Sequence, residues 1–255
     1  MADSTGKPLP TGSEDVDIKT PDGICDGVIA YPKGDGPWPA VLMWTDVLGL
    51  TPTFREMASR LAAQGYVVLV PNPYYRARRA PVVAEGGNLM DADVRAVVFP
   101  LAGQLNDEGM QTDAAALVAY LDSRPQTDKS KKIGTNGYCM GGRFAFVAGA
   151  AAAERIGAVA SIHGFLVNSE PTSPHLSVAR SKARYLVAIA QNDDAAMPNA
   201  KDVLRETFAE TGRDADVSVY PANHGWCVKS ASTYDEPSAE RAWAALIDFY
   251  GAALA

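Results

Sequence analysis

The sequence predicts an α/β protein with a mostly parallel sheet, helices on both faces of that sheet and an N-terminal antiparallel hairpin. Short, continuous apolar segments alternate with amphipathic or alanine-rich segments along most of the 255 residues. This alternation is typical of parallel strands joined by crossover helices. Nearer the N-terminus, two segments of alternating apolar and polar residues flank a Pro-Asp-Gly turn, which is the pattern of a hairpin. No repeat or linker divides the chain, so we expect residues 15–255 to form one domain behind a flexible polar leader at residues 1–14.

The strands are identified by short runs that end in glycine, proline or polar turn residues. Residues 15–19 and 27–31 form the predicted hairpin across the turn at residues 20–23. Continuous apolar runs, unlike alternating ones, indicate strands that are covered on both faces. Such a run lies at residues 40–44, and the other strands are predicted at residues 66–70, 132–136, 156–163, 184–190 and 217–220.

The helices are identified by an apolar stripe with helical spacing or by an alanine-rich run. They are expected at residues 54–64, 91–105, 112–123, 143–154, 200–211 and 239–253. Thr51 is a suitable N-cap for the first of them, and Gly65 ends it. Residues 74–107 show weak periodicity, and we expect much of this segment to cover the rim of a functional site.

Composition and charge argue against several functional classes. The net charge of −7 disfavours a nucleic-acid-binding surface and plain attraction to an anionic membrane. No apolar run approaches the ~20 residues of a membrane span, and residues 1–14 lack the apolar segment of a signal peptide. The three cysteines form neither a disulfide framework nor a zinc motif, and they suit a reducing compartment. They are Cys25, Cys139 and Cys227. We therefore expect a cytoplasmic protein.

Residues 137–142, Gly-Tyr-Cys-Met-Gly-Gly, are the motif on which the functional inference is built. Cys139 has a glycine two residues away on each side and lies between a predicted strand and a predicted helix, as the nucleophile of a G-x-nucleophile-x-G elbow does. The turn is so tight that a side chain at either glycine would collide with neighbouring backbone. The alternative is a buried cysteine that only fills space, but the strand–turn–helix context favours a nucleophile.

A nucleophilic thiol needs a base to accept its proton and a third group to orient that base. His224 follows the last predicted strand, whereas we expect His163 to be a hydrogen-bonded core residue and His175 to be solvated. The order nucleophile, acid, histidine along the chain requires an acid after the penultimate strand. Asp193 is the first acid there, and Asp194 is the alternative that a shift of one residue would select.

The oxyanion of an acyl-transfer reaction needs two N–H donors. One is the backbone N–H of Met140, which follows the nucleophile at the start of a helix. The other is that of Val47, in the loop after the strand at residues 40–44. Next to Val47, Asp46 places a carboxylate near the thiol, and its alternative role is to cap the following turn.

These residues resemble the dienelactone hydrolase family, whose members have the α/β-hydrolase fold and a cysteine nucleophile. The resemblance is carried by residues 137–142, by His224 with Gly225 and by residues 46–49, Asp-Val-Leu-Gly, and it spans residues 15–253. It implies hydrolysis of a small ester or lactone through a thioester intermediate, without a metal or cofactor. It also implies that a carboxylate at position 46, usually a glutamate in the family, interacts with the resting thiol.

The sequence departs from the family where substrate binding is concerned. Family members that cleave dienelactones hold the substrate carboxylate with arginines, one of them four residues past the histidine, where this chain has Val228 followed by Lys229. Arg76, Arg78 or Arg79 can take the place of those arginines, with surface solvation as the alternative role of each. Tyr74 and Trp226 are further substrate-binding candidates, with packing beside His224 as the alternative role of Trp226. The alternatives to a hydrolase are a non-catalytic binding protein that keeps the fold as a scaffold, and a thiol redox protein.

Overall fold

Eight strands form one sheet in the computed structural model, which describes residues 8–254. The strands are β1 (Thr11–Thr20), β2 (Gly23–Pro32), β3 (Ala40–Trp44), β4 (Val67–Pro71), β5 (Ile133–Tyr138), β6 (Ile156–Ile162), β7 (Arg184–Ala190) and β8 (Ala215–Tyr220). Their order across the sheet is β1-β2-β4-β3-β5-β6-β7-β8. β2 pairs antiparallel with β1 and β4, and the other pairs are parallel. The predicted mostly parallel sheet with an N-terminal hairpin is confirmed.

Helices cover both faces of this sheet, as the sequence predicts. Within residues 8–254 they are α1 (Pro52–Ala62), α2 (Ala92–Ala102), α3 (Asp107–Ser123), α4 (Met140–Ala151), α5 (Gln191–Ala196), α6 (Ala200–Thr211), α7 (Glu236–Ala253) and a 3-10 helix at Pro174–Arg180. The two short helices, α5 and the 3-10 helix, were not predicted. None of these helices combines the length and the apolar character that crossing a membrane requires.

β3 and β4 are apolar throughout because each of them contributes to two cores. In β3, Leu42 and Trp44 face the core that α3, α4 and α6 cover. Val41 and Met43 face the core that α1 and α7 cover. Successive side chains of a strand point to opposite faces of the sheet, so a strand between two helical layers is apolar at every position.

The N-terminal boundary differs from the expectation. β1 begins at Thr11, which pairs with Pro32 of β2, so residues 11–14 belong to a strand rather than to a leader. These residues are polar, and their pairing is made by the backbone, which a hydrophobic pattern does not reveal. Residues 1–7 of the predicted leader lie outside the described residues.

The parallel strands direct several loops to one edge of the sheet. β5 lies between β3 and β6, and Cys139 directly follows β5. The carboxyl ends of neighbouring parallel strands meet at the same edge. The loops and turns that follow β3, β6, β7 and β8 therefore bring Asp46, His163, Asp193 and His224 to the edge where Cys139 lies.

Candidate active site

Cys139 lies in the sharp turn between β5 and α4. Its φ of 53° and ψ of −119° fall in a region that residues with a side chain rarely adopt. A Cβ atom on Gly137 would lie 1.9 Å from the carbonyl oxygen of Gly141, and one on Gly141 would lie 2.4 Å from that of Thr45. Both glycines are therefore required by the close approach of backbone segments, as the elbow motif predicts.

Hydrogen bonds fix this turn to the neighbouring strand. The N–H of Cys139 is shared between the carbonyl oxygen of Ile162, at 3.0 Å, and Nδ1 of His163, at 3.1 Å. The N–H of Gly142 donates to the carbonyl oxygen of Cys139 at 3.1 Å. The cysteine is partly exposed at the N-terminus of α4, where the helix dipole favours a negative charge on sulfur.

The imidazole of His224 is oriented by Asp193. Nδ1 of His224 donates to Oδ2 of Asp193 at 2.7 Å, and the backbone N–H of His224 donates to Oδ1 of Asn192 at 2.8 Å. Asp194 instead accepts a hydrogen bond from Nζ of Lys201 at 2.8 Å. The two adjacent aspartates diverge because they lie on a turn of α5 rather than in an extended loop. The structure thus brings Asp193, and not Asp194, to His224.

Burial and hydrogen bonding shift the pKa of His224 in opposite directions. Burial disfavours the imidazolium, but the hydrogen bond with the Asp193 carboxylate and the neighbouring Cys139 side chain raise the pKa of His224 to about 10. Because Nδ1 is bound to Asp193, Nε2 is the ring nitrogen left for the thiol. The site therefore favours a protonated His224 at neutral pH.

The loop between β3 and α1 supplies the second predicted oxyanion donor. The hydroxyl of Tyr74 donates to the carbonyl oxygen of Val47 at 2.7 Å, which fixes the peptide group of Val47. Within residues 8–254, neither the N–H of Val47 nor that of Met140 donates to another protein group. Val47 lines the cleft that contains Cys139, and Met140 directly follows Cys139, so both N–H groups can serve a substrate oxygen.

The sequence left open whether Asp46 caps the following turn or places a carboxylate near the thiol, and its position fits both roles. Its Oδ1 accepts a hydrogen bond from the N–H of Leu48 at 2.8 Å, so the carboxylate caps the turn. The residue also lines the cleft beside Cys139. Burial raises the pKa of Asp46 to about 6, against the opposing effects of the Leu48 N–H and of the charge on His224. A carboxyl group that titrates near neutral pH therefore lies next to the thiol.

A cleft with a volume of about 200 Å³ opens at Cys139 and His224. Its walls come from three irregular segments, residues 46–48, 88–90 and 230–233. A larger cavity, of about 310 Å³, lies between α1 and α7 and contains neither side chain. The reactive groups thus open into the smaller cleft. Among residues 8–254, no three His, Cys, Asp or Glu side chains are grouped so as to hold a metal ion.

Comparison with known proteins identifies the family of this chain. The model of the dienelactone hydrolase family matches residues 25–254. This chain belongs to the dienelactone hydrolase family. It is accordingly a hydrolase, and the α/β-hydrolase fold expected from the sequence is shown.

Several relatives can be aligned with this chain over much of its length. A protein of Methylorubrum extorquens with the provisional name carboxymethylenebutenolidase is 25% identical over 242 residues, or 92% of this chain and 79% of the relative. The carboxymethylenebutenolidase of Pseudomonas putida is 30% identical over 138 residues, or 54% of this chain and 56% of the relative. A solved structure from Klebsiella pneumoniae, provisionally named dienelactone hydrolase, has a TM-score of 0.82 at 20% identity and covers 95% of this chain and 99% of its own.

Arg76 lies outside the cleft of this dienelactone hydrolase family member. Its guanidinium donates to both carboxylate oxygens of Asp113, at 2.7 and 2.9 Å, and to Oδ2 of Asp22 at 2.6 Å. Asp113, which is 2% exposed, also accepts from the hydroxyl of Tyr75 at 2.6 Å. The expectation that Arg76 binds substrate is therefore corrected, because its charge neutralises a buried carboxylate on α3.

We expect Arg76→Met to lower the free energy of unfolding by about 2–3 kcal/mol, because Asp113 is left buried without its cation. Methionine keeps most of the apolar stem, so the change tests the charge. Urea unfolding measures the loss, and kcat/KM for esters should stay unchanged. Arg79→Met is the matched control, because Arg79 pairs with Asp17 at the exposed surface. This control should change the free energy of unfolding far less than Arg76→Met does. A raised KM together with an unchanged free energy of unfolding would indicate that Arg76 binds substrate after all.

Tyr74 and Trp226 support the site from behind the cleft instead of lining it. Tyr74 is 2% exposed, and its hydroxyl is engaged with Val47. Trp226 is fully buried, stacks on Tyr220 with ring centroids 5.3 Å apart and meets the ring of His163 at 4.9 Å. The expectation that these two side chains bind substrate is corrected as well, because neither has a surface that a substrate can reach.

His163 is the site residue whose position the sequence did not indicate. It is 1% exposed and hydrogen-bonded, as predicted for a core histidine, but it also lines the cleft. Its φ of 44° lies, like that of Cys139, in the left-handed region. Burial, together with the charge of His224, lowers the pKa of His163 well below its ordinary value. The ring therefore stays neutral and accepts the N–H of Cys139.

We expect Asp46→Asn to raise the free energy of unfolding by about 2–3 kcal/mol at pH 7.5. The fold raises the pKa of Asp46 from 3.8 to about 6, so ionising this carboxyl costs more in the folded than in the unfolded state. That cost is complete above pH 6 and disappears as the pH falls toward 3.8. Asparagine keeps an oxygen for the N–H of Leu48. Urea unfolding at pH 7.5 and 5.0 checks this, since the gain should fall to about half at pH 5.0. An equal gain in the free energy of unfolding at both pH values would contradict the raised pKa of Asp46.

Proposed function

We propose that this member of the dienelactone hydrolase family cleaves small carboxylic esters or lactones with a Cys139–His224–Asp193 triad, through a thioester on Cys139. The observation that carries the proposal is the hydrogen bond of 2.7 Å between His224 and Asp193, beside a partly exposed cysteine in a strained elbow. The relatives named carboxymethylenebutenolidase support the same reaction class.

Acylation begins with the proton of the Cys139 thiol already on Nε2 of His224, whose protonated form the site favours at neutral pH. Asp193 holds Nδ1 and stabilises the imidazolium. The thiolate attacks the carbonyl carbon, and the oxyanion accepts hydrogen bonds from the N–H groups of Met140 and Val47, each typically worth about 3 kcal/mol in the transition state. The bond to the leaving oxygen then breaks, and that oxygen takes the proton from His224.

Deacylation uses the same residues in reverse roles. His224, now neutral, removes a proton from a water molecule, and the hydroxide oxygen attacks the thioester carbon. The oxyanion forms at the same two N–H groups. When the carbon–sulfur bond breaks, the carboxylic acid leaves, and the sulfur of Cys139 is restored with the proton on His224.

Stopped-flow hydrolysis of p-nitrophenyl butyrate tests this proposal. A burst of p-nitrophenolate that approaches the enzyme concentration, followed by steady turnover, is expected where the thioester forms faster than it is hydrolysed. Alkylation of Cys139 with iodoacetamide before mixing should remove both phases. The absence of any turnover with a panel of short esters and lactones would favour the alternative, a non-catalytic binding protein with this fold.

A further inference from the structure

The cleft at Cys139 carries an acidic side chain but neither lysine nor arginine among the described residues that line it. Asp46 supplies the carboxylate, and His224, which the triad uses, is the one lining side chain that favours a positive charge. The walls are largely apolar, with side chains from Val47, Leu48, Leu89, Met90 and Ala231. An acyl group bound here therefore meets apolar surface and an additional negative charge.

The neighbouring cationic side chains are engaged elsewhere. The guanidinium of Arg95 donates to the carbonyl oxygens of Leu89 and Met90, at 2.9 and 2.5 Å, and Arg95 is not among the residues that line the cleft. Four residues past His224, Val228 is 2% exposed. The next residue, Lys229, lines the separate cavity between α1 and α7. Among residues 8–254, His224 is thus the only side chain lining the cleft that favours a positive charge, and no lysine or arginine lines it.

We propose that this cleft selects esters and lactones with an uncharged acyl group and rejects those whose acyl group carries a carboxylate. This inference rests on the proposed function, because it concerns the group transferred to Cys139. The described residues of the lining offer a carboxylate the polar side chains of Asn88, Ser230, Ser232 and Thr233 but no lysine or arginine, so its lost hydration would not be replaced by an ion pair of its own, and Asp46 would repel it. The volume of about 200 Å³ is small for a ligand site, which keeps the acyl group close to Asp46.

Three p-nitrophenyl esters of equal reactivity and similar length test the selection. They are the hexanoate, the methyl adipate, whose acyl group ends in an uncharged methyl ester, and the mono-adipate, whose acyl group ends in a carboxylate. At pH 7.5 we expect kcat/KM for the mono-adipate to be about 30-fold or more below that for the methyl adipate, which is the effect of one unneutralised charge near Asp46. The hexanoate and the methyl adipate should react similarly, since both are uncharged.

Asp46→Asn isolates the contribution of the acidic side chain. This substitution should lower the ratio of kcat/KM for the methyl adipate to kcat/KM for the mono-adipate by about threefold or more. Asp202→Asn is the matched control, because it removes the same charge from a side chain on α6 that is 68% exposed. This control should leave the ratio at the wild-type value.

The outcomes separate this inference from the function on which it rests. Equal kcat/KM for the methyl adipate and the mono-adipate, with rapid hydrolysis of both, would overturn the charge selection and leave the triad intact. An unchanged ratio in Asp46→Asn would remove Asp46 as its cause. No reaction with any of the three esters would overturn the proposed function, and the selection with it.

Discussion

Cys139→Ala is expected to reduce ester hydrolysis by about 10⁴–10⁶-fold in kcat, which is the loss seen when a triad nucleophile is removed. The substitution deletes the only atom that forms the thioester, whereas the oxyanion donors and the cleft remain. Steady-state hydrolysis of p-nitrophenyl butyrate measures the loss. Thermal unfolding checks the fold, and we expect little change because alanine meets the same backbone strain at position 139.

The matched control removes a different cysteine. Cys227 lies in the cavity between α1 and α7, away from the reactive cleft, so Cys227→Ala should keep kcat close to that of the wild type. If Cys139→Ala retained substantial activity, Cys139 would not be the nucleophile. If Cys227→Ala lost as much activity as is expected for Cys139→Ala, Cys227 would have to be assigned as the nucleophile instead.

His224→Ala is the second large effect, with an expected loss of about 10⁴-fold or more in kcat. The variant lacks both the acceptor of the thiol proton and the base for deacylation. Asp193→Asn should cost about 10³–10⁴-fold, because the amide neither fixes the tautomer nor stabilises the imidazolium. Asp194→Asn is the matched control, since this neighbour binds Lys201. A greater loss in Asp194→Asn than in Asp193→Asn would reverse the choice of acid.

Asp193→Asn is also expected to change how the stability of the folded protein depends on pH. The fold raises the pKa of His224 from 6.5 to about 10, so binding of the proton stabilises the folded state. This contribution is complete below pH 6.5 and is lost as the pH rises through 10. Asp193→Asn should therefore reduce stability most at pH 6 and less as the pH approaches 10. A loss that is equal at pH 6 and pH 9.5 would show that Asp193 does not act through the charge of His224.

The fold and the elbow could be predicted because their signals are local. The apolar runs of β3 and β4 indicate buried parallel strands, and the elbow needs glycine at Gly137 and Gly141, so both signals are visible in a few consecutive residues. Asp193 and Asp194 could not be separated in this way. Their difference arises from the six-residue helix α5, which is too short to have a recognisable periodic pattern.

The substrate-binding expectations failed because they depended on contacts between distant segments. Arg76 is neutralised by Asp22 and Asp113, which are 54 and 37 residues away in the sequence. The cleft walls at residues 88–90 and 230–233 come from irregular segments without a hydrophobic period. His163 could be assigned to the core, but its contact with Cys139 depends on the pairing of β5 with β6.

The most direct test of the account is the mass of the Cys139 peptide during turnover. The enzyme is mixed with p-nitrophenyl butyrate, quenched in acid within the burst phase and digested, and the peptide that contains residues 137–142 is analysed. The account requires this peptide to gain the mass of one butyryl group, which disappears once the substrate is consumed. An unmodified Cys139 during full turnover, or a butyryl group on a different residue at the same rate, would contradict it.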